Sequence, residues 1–150
     1  MKRYDPTPPW VSYEVVLRAS DGRLDPERRP FSAALSKGGD QITTALTKMW
    51  LVGYHGWPHA ILALVDDRRK PLIQRADDAE PEIWILKAKP TCWRLYFYVY
   101  KEKQRLAYLH ACCKKKNARD QTDCDIARTL FRSIGGARGH GLIEFHFTSG

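Results

Sequence analysis

Residues 82–113 read EIWILKAKPTCWRLYFYVYKEKQRLAYLHACC, and this stretch decides the fold class. Apolar and polar side chains alternate along it with a period of two, which is the pattern of β-strands. The alternation predicts three strands, over 82–89, 91–100 and 105–113, with connections short enough for hairpins. The middle of the chain is therefore predicted to form an antiparallel sheet.

The sequence on either side predicts helices and two further strands. Asp40 is expected to cap the first long helix and Gly53 to end it, while the charged, proline-bearing stretches 21–30 and 66–81 are predicted to be loops. The predicted elements, in chain order, are a strand over 10–17, a helix over 40–52, a short buried helix over 58–65, the three strands, a helix over 122–134 and a strand over 142–147. This order indicates one α+β domain over residues 1–150, with a mainly antiparallel sheet of four to five strands.

Composition excludes several classes of protein. The chain has 150 residues, of which 43% are hydrophobic and 28% charged, so it is expected to bury a globular core. Its apolar runs are far shorter than the ~18 residues that cross a membrane, and residues 1–9 lack the apolar segment of a secretory signal. Four cysteines are too few for a disulfide-stapled secreted scaffold, so we expect a cytoplasmic protein with reduced thiols.

The positive charge is concentrated in one part of the sequence. The net charge is +8, yet ten Lys and Arg residues and a single acid, Glu102, lie between Lys87 and Arg119, and the rest of the chain is nearly neutral. A local positive field of this kind suits a polyanion such as RNA, DNA or an acidic partner. The alternative is a solvated basic surface that only keeps the protein soluble.

Alternation along the strands also predicts a polar face of the sheet. Its cations would hold phosphates, its tyrosines would stack on unpaired bases, and its histidines would move protons near neutral pH. The alternative is a wet face with tyrosines favoured by β-propensity. The side chains predicted to gather there are Lys87, Lys89, Arg94, Tyr96, Tyr98, Tyr108, His110, Glu144 and His146.

Four segments carry a resemblance to a known family: WILK at 84–87, WRLYF at 93–97, YLHACCKKK at 108–116 and Ile126-Ala127 in the following helix. In these segments the chain resembles the RelE/HigB/ParE superfamily of bacterial type II toxins, and most closely its phage-derived HigB-like branch. The resemblance implies a RelE-like fold, with two N-terminal helices on one face of the sheet and a helix before the last strand.

The same resemblance implies a function. It implies a ribosome-dependent mRNA endonuclease that needs no cofactor or metal, in which a 2′-hydroxyl attacks the adjacent phosphorus. A helix-turn-helix antitoxin would be its partner, besides the ribosome and mRNA. Lys87 and Arg94 are expected to stabilise the phosphorane, His146 to transfer a proton, and Glu144 to act as a base or to orient His146. The residues expected to bind RNA are Lys89, Tyr96, Tyr98, Tyr108, His110, Lys114, Lys115 and Lys116.

Three alternatives remain open. One is a DNA gyrase poison of the ParE type, without catalytic residues. Another is a non-catalytic protein of the same fold that binds nucleic acid or a partner. The last is a zinc site, which is disfavoured because Cys112 and Cys113 are adjacent and point to opposite faces, whereas zinc sites favour Cys-x-x-Cys pairs. The candidate ligands of such a site are Cys92, His110, Cys112, Cys113 and Cys124.

Overall fold

The computed structural model describes residues 8–114 and 121–147. Short 3-10 turns lie at Ser36–Gln41, Lys101–Lys103 and Gly136–Arg138. The helices and strands, in chain order, are β1 (Val11–Val15), α1 (Pro30–Leu35), α2 (Ile42–His55), α3 (His59–Ala63), β2 (Ile73–Arg75), β3 (Ile83–Lys87), β4 (Trp93–Tyr100), β5 (Arg105–Cys113), α4 (Gln121–Ser133) and β6 (Leu142–Glu144).

The six strands form one mixed sheet in the order β2-β3-β4-β5-β1-β6. The pair of β1 with β5 is parallel, and the other four pairs are antiparallel. The predicted α+β class is therefore confirmed, but the sheet has more strands than expected. The additional strand is β2, a three-residue edge strand inside the stretch 66–81 that was predicted to be a loop.

Helices cover both faces of the sheet. On one face Phe31 of α1 and Met49 of α2 pack with Phe97 in the larger core cluster. On the other face Phe131 and Ala127 of α4 pack in a second cluster. The sheet residues in that second cluster include Val15, Ile83, Ile85, Tyr96 and Leu109. The expectation that this second face is an open polar surface is wrong wherever α4 covers it.

A β-bulge in β5 changes which side chains share a face. Tyr96 pairs with His110 and the next residue, Phe97, pairs with Tyr108, so Leu109 is the extra residue. Strict alternation would put Tyr108 and His110 on one face. The bulge instead turns Tyr108 into the core beside Phe31 and leaves His110 on the face of α4. Tyr108 is consequently fully buried.

The N-terminal helices differ from expectation at four places. Asp40 does not cap α2, because it lies in the preceding 3-10 turn and the cap position is Gln41, without a side-chain hydrogen bond. α1 starts at Pro30, where a loop was predicted, because proline suits the first turn of a helix. Gly53 lies inside α2, which ends at Gly56 with φ of 75°. A Cβ at Gly53 would lie 2.6 Å from the Trp10 carbonyl oxygen, so this glycine allows close packing. α3 is not fully buried, since Leu62 is 83% exposed.

Candidate functional site

Two cations face each other at the open end of the β4–β5 hairpin, where the short connection from β3 to β4 also lies. Lys87 on β3 pairs with Arg94 on β4, and Arg94 pairs with Cys112 on β5. Burial, together with the positive charges of Arg94 and Lys89, lowers the pKa of Lys87. Like charges directly opposite each other on a sheet are unfavourable. A bound anion, such as a phosphate, would relieve that repulsion.

A hydrogen-bonded histidine–carboxylate pair lies beside these cations. The His110 Nε2 atom lies 2.8 Å from Oδ1 of Asp123, in the first turn of α4. Lys114 forms an ion pair with the other carboxylate oxygen of Asp123. Burial raises the pKa of Asp123, but the hydrogen bonds from Lys114 and His110 outweigh it, so the net pKa lies below its usual value. An ionised Asp123 accepts only, so Nε2 of His110 carries the proton of this bond.

Cys112 completes the group around Asp123. Its thiol is hydrogen-bonded to Asp123, and burial followed by the nearby Asp123 charge raises the pKa of the thiol to about 12. The thiol is therefore protonated at neutral pH, and Cys112 is not a nucleophile in this environment. We call His110, Cys112, Lys114 and Asp123, with Lys87 and Arg94, the open-end cluster.

The basic margin of the open-end cluster extends into the loop before β2. Asp66 accepts backbone hydrogen bonds from Arg68 and Lys70, and its second oxygen lies 3.4 Å from Nζ of Lys89. Lys70 and Lys89 are close enough to contribute to the lowered pKa of Lys87. Sequence reasoning assigned residues 66–70 to a solvated loop, and their place in space follows from the pairing of β2 with β3.

Glu144 and His146 do not join this cluster. Glu144 pairs with Tyr13, and Tyr13 with Ala107 of β5, while His146 lies beyond the end of β6. When positions are compared along the direction of β5, His146 lies at about the height of Arg105, whereas Arg94 lies at the height of Cys112. At ~3.3 Å per residue, these two levels are about 20 Å apart along the strand, before the sideways distance across the sheet is added. The expectation that His146 shares a site with Lys87 and Arg94 is therefore wrong.

Near His146 the structure instead has a buried carboxylate that sequence reasoning did not identify. Glu14 on β1 is 1% exposed, and both of its carboxylate oxygens accept from the Ser32 hydroxyl, at 2.6 and 2.7 Å. Burial raises the pKa of Glu14, and the Ser32 bonds and the charges of Arg29 and His146 offset part of that effect. This carboxylate helps to dock α1 on the sheet.

The tyrosines expected to stack on bases have different environments. Tyr108 is in the core and Tyr96 is 2% exposed beneath α4, with its ring centroid 5.5 Å from that of His110. Tyr98 is half-buried, with its ring 4.5 Å from Phe131. Burial makes base stacking on Tyr108 and Tyr96 impossible without opening the core, so their assignment to an RNA surface is wrong. Of the lysines assigned to RNA, Lys115 and Lys116 lie outside the described residues.

The positive segment of the sequence does not form one patch. The β4–β5 hairpin places Lys101, Lys103 and Arg105 at its turn. Lys87, Arg94 and Lys114 lie at the opposite, open end. An eight-residue strand separates the two groups by about 25 Å. The group at the open end has the hydrogen-bonded pair of His110 and Asp123 beside it.

Two of the four cysteines are joined. Cys92 and Cys113 form a disulfide with a Cα–Cα distance of 4.8 Å, which fastens the start of β4 to the end of β5. Cys112 and Cys124 are not in a disulfide bond. The expectation that all four are reduced thiols is not met in this structure.

Asp123 is the residue of the open-end cluster that sequence reasoning missed. The available signal was a carboxylate in the first turn of a predicted helix, shortly after a run of lysines. Comparison with protein-family models, with curated proteins and with solved structures finds no match to this chain. Among the described residues, none of the helices has the length and apolar character needed to cross a membrane.

Proposed function

We propose that this protein is an RNA endonuclease of the RelE/HigB-like toxin type, which blocks translation by cleaving mRNA on the ribosome. The observation that carries the proposal is the His110–Asp123 hydrogen bond beside the opposed cations Lys87 and Arg94. Two cations opposite each other on neighbouring strands suit a phosphate, and a histidine side chain can accept and donate protons. The proposed site is the open-end cluster.

The chemistry needs a base, an acid and positive charge. A 2′-hydroxyl oxygen attacks the adjacent phosphorus, a 2′,3′-cyclic phosphate forms, and the 5′-oxygen leaves with a proton. With Nε2–H of His110 donated to Asp123, the other ring nitrogen, Nδ1, accepts the proton of the 2′-hydroxyl as base and then gives it to the leaving 5′-oxygen as acid. Arg94 and Lys87 stabilise the charge on the phosphorane, and Asp123 positions the ring. This assignment moves proton transfer from His146 to His110.

The test is mRNA cleavage on purified ribosomes by folded variants. Arg94→Ala is expected to slow cleavage by about 100-fold or more, because one well-placed donor contributes that much to an anionic transition state. His110→Gln is expected to slow it by a similar factor. Lys103→Ala removes a cation at the other end of the hairpin and His146→Gln removes the distant histidine, and both are expected to cleave like the parent. Parental cleavage by Arg94→Ala would overturn the proposal.

A non-catalytic nucleic-acid-binding role is the second candidate. It is favoured by the engagement of both His110 and Lys114 with Asp123, an arrangement that also serves to anchor α4 on β5. Under this role the parent would bind RNA, Arg94→Ala would weaken that binding, and neither would yield a cyclic phosphate. Pulse-labelling of induced bacteria adds a further distinction. Protein synthesis falls first under the endonuclease proposal, and DNA synthesis falls first if the protein poisons gyrase.

The partners and compartment belong to the same proposal. A toxin of this kind works in the cytoplasm on mRNA and ribosomes, and is neutralised by an antitoxin, for which a helix-turn-helix protein is proposed. The supporting observation is again the cationic open end, which a nucleic acid or an acidic antitoxin segment would cover. Co-purification with the product of a small neighbouring reading frame would test the partner.

A further inference from the structure

Three different metal-binding side chains converge at the open end of β5. The ligand atoms of His110, Cys112 and Asp123 all lie within 4.8 Å of one another. We propose that these three residues bind one zinc ion, with a solvent molecule as the fourth ligand. Zinc binding and RNA cleavage belong to different states of the open-end cluster, because a metal on Nε2 of His110 replaces the hydrogen bond to Asp123 that the endonuclease proposal uses. The zinc-bound protein is therefore expected not to cleave RNA.

The donor set suits zinc. Zn²⁺ is borderline-soft and takes cysteine sulfur, imidazole nitrogen and carboxylate oxygen, and three protein ligands with an open fourth position are typical of its non-structural sites. His110 and Cys112 are two residues apart on β5, so both project from the same face towards α4. Asp123 approaches from the first turn of α4. A metal bound here would therefore link β5 to α4.

The geometry needs only small adjustments. Bonds of ~2.0–2.3 Å in a tetrahedral site put ligand atoms about 3.3–3.7 Å apart. The Nε2–Oδ1 pair, now at 2.8 Å, would open slightly, and the most distant pair would close by about 1 Å. Side chains that are half-buried rather than locked in the core can make such movements.

Lys114 supports the site instead of blocking it. It pairs with Oδ2 of Asp123, whereas His110 approaches Oδ1. A metal on Oδ1 would replace the His110 hydrogen bond and leave the Lys114 ion pair in place. An outer partner of this kind holds a ligating carboxylate in position. The positive charges of Lys114 and, less strongly, Arg94 act on the Cys112 thiol, and both oppose the binding of a cation there.

The charges and protons balance. The Cys112 thiol gives up its proton to solvent when its sulfur bonds to the metal, and the proton on Nε2 of His110 leaves while Nδ1 takes one up, so that the neutral ring coordinates through Nε2. The thiolate and the Asp123 carboxylate then carry two negative charges against the two positive charges of Zn²⁺. The other cysteines close in the chain are not competing ligands, because Cys92 and Cys113 are joined to each other.

The experiment is a titration of the purified, disulfide-intact protein with Co²⁺, followed by displacement with Zn²⁺. We expect one equivalent of Co²⁺ to give the near-ultraviolet thiolate-to-cobalt charge-transfer band and the visible bands of a tetrahedral ion, and Zn²⁺ to remove both. Cys112→Ser should abolish the charge-transfer band. Asp123→Asn should weaken binding by at least about tenfold. Circular dichroism verifies that each variant is folded.

The matched control is the other cysteine that is not in the disulfide. Cys124 is a buried residue of α4 in the second core cluster and lies outside the ligand set, so Cys124→Ala should keep the charge-transfer band and the affinity. The proposal is overturned if the parent shows no charge-transfer band, or if the band survives in Cys112→Ser. RNA cleavage is measured separately, so a failure of metal binding leaves the endonuclease proposal standing, and the reverse also holds.

Discussion

The hydroxyl of Tyr108 is a buried polar group with no hydrogen-bond partner among the described residues. Its ring packs 5.2 Å from Phe31 and 5.4 Å from Phe97, so its contribution to the core is apolar. Burial raises the pKa of this phenol well above its usual value, and the group stays neutral. Packing of the Tyr108 ring therefore stabilises the protein, whereas burial of its unpaired hydroxyl destabilises it.

We therefore expect Tyr108→Phe to leave the free energy of unfolding unchanged or to raise it by about 1 kcal/mol. Tyr100→Phe is the matched control, because the Tyr100 hydroxyl donates to the Gly136 carbonyl at 2.7 Å and its loss should cost about 1 kcal/mol. Urea unfolding of both variants measures the difference. A clear loss of stability in Tyr108→Phe, or a loss of RNA binding, would contradict this account.

At the scale of elements, the docking of α4 decides whether the open end has a site at all. Arg128 of α4 pairs through two nitrogens with Asp77, in the loop after β2, and is 9% exposed. The hydrogen bonds from Arg128 lower the pKa of Asp77, even though its partial burial raises it. A carboxyl whose pKa is depressed by folding adds stability above its unfolded pKa, and that stability is lost as pH falls through its folded pKa.

Asp77→Asn should accordingly lower the free energy of unfolding by roughly 2 kcal/mol at pH 7, because Arg128 is left without its anion. The difference between the variant and the parent should begin to shrink below about pH 4, where the carboxyl of the unfolded parent takes up a proton, and should shrink further as the pH falls through the lowered pKa of the folded state. Asp78→Asn, an exposed neighbour, is the control and should change little. Urea unfolding at several pH values provides the measurement. An equal deficit at every pH would contradict the ion-pair explanation.

Periodicity predicted the strands well where both faces are clearly marked, as in β4 and β5. It did not predict β2, since three residues are too short to show a period. It also could not show the bulge at Leu109, because an extra residue is visible only once the partner strand fixes the register. That single residue moved Tyr108 from a supposed surface to the core.

The candidate site was predicted only in part, because local sequence patterns show neighbours on adjacent strands but not contacts between distant elements. The cross-strand neighbours Lys87 and Arg94 follow from two adjacent hairpin strands, so the sequence placed them together correctly. Asp123 was missed because it belongs to a helix that folds back over the sheet. His146 was wrongly assigned to the site because alternation gave the face on which it lies but not its position along the strands. Tertiary placement of this kind depends on which face a helix covers, and no local pattern contains that information.

For the whole molecule, the disulfide bond fixes the end of the sheet that carries the site. Cys92 and Cys113 are 21 residues apart and close the β4–β5 hairpin at its open end. A cross-link over a loop of this length lowers the conformational entropy of the unfolded chain, which raises the free energy of unfolding by about 3 kcal/mol. The buried residues of the two core clusters include neither Cys92 nor Cys113, although Cys92 packs against the larger cluster.

We expect the double variant Cys92→Ser, Cys113→Ser to remain folded and to lose about 3 kcal/mol in the free energy of unfolding. Dithiothreitol should bring the parent down to the midpoint of the double variant and should leave the double variant unchanged, which makes each protein the control of the other. If the reductant shifts both midpoints equally, its effect is not on this bond. A double variant without a cooperative transition would mean that the hairpin end, with Arg94 and Cys112 beside it, is needed for the fold, and the site at the open end would then exist only in the oxidised protein.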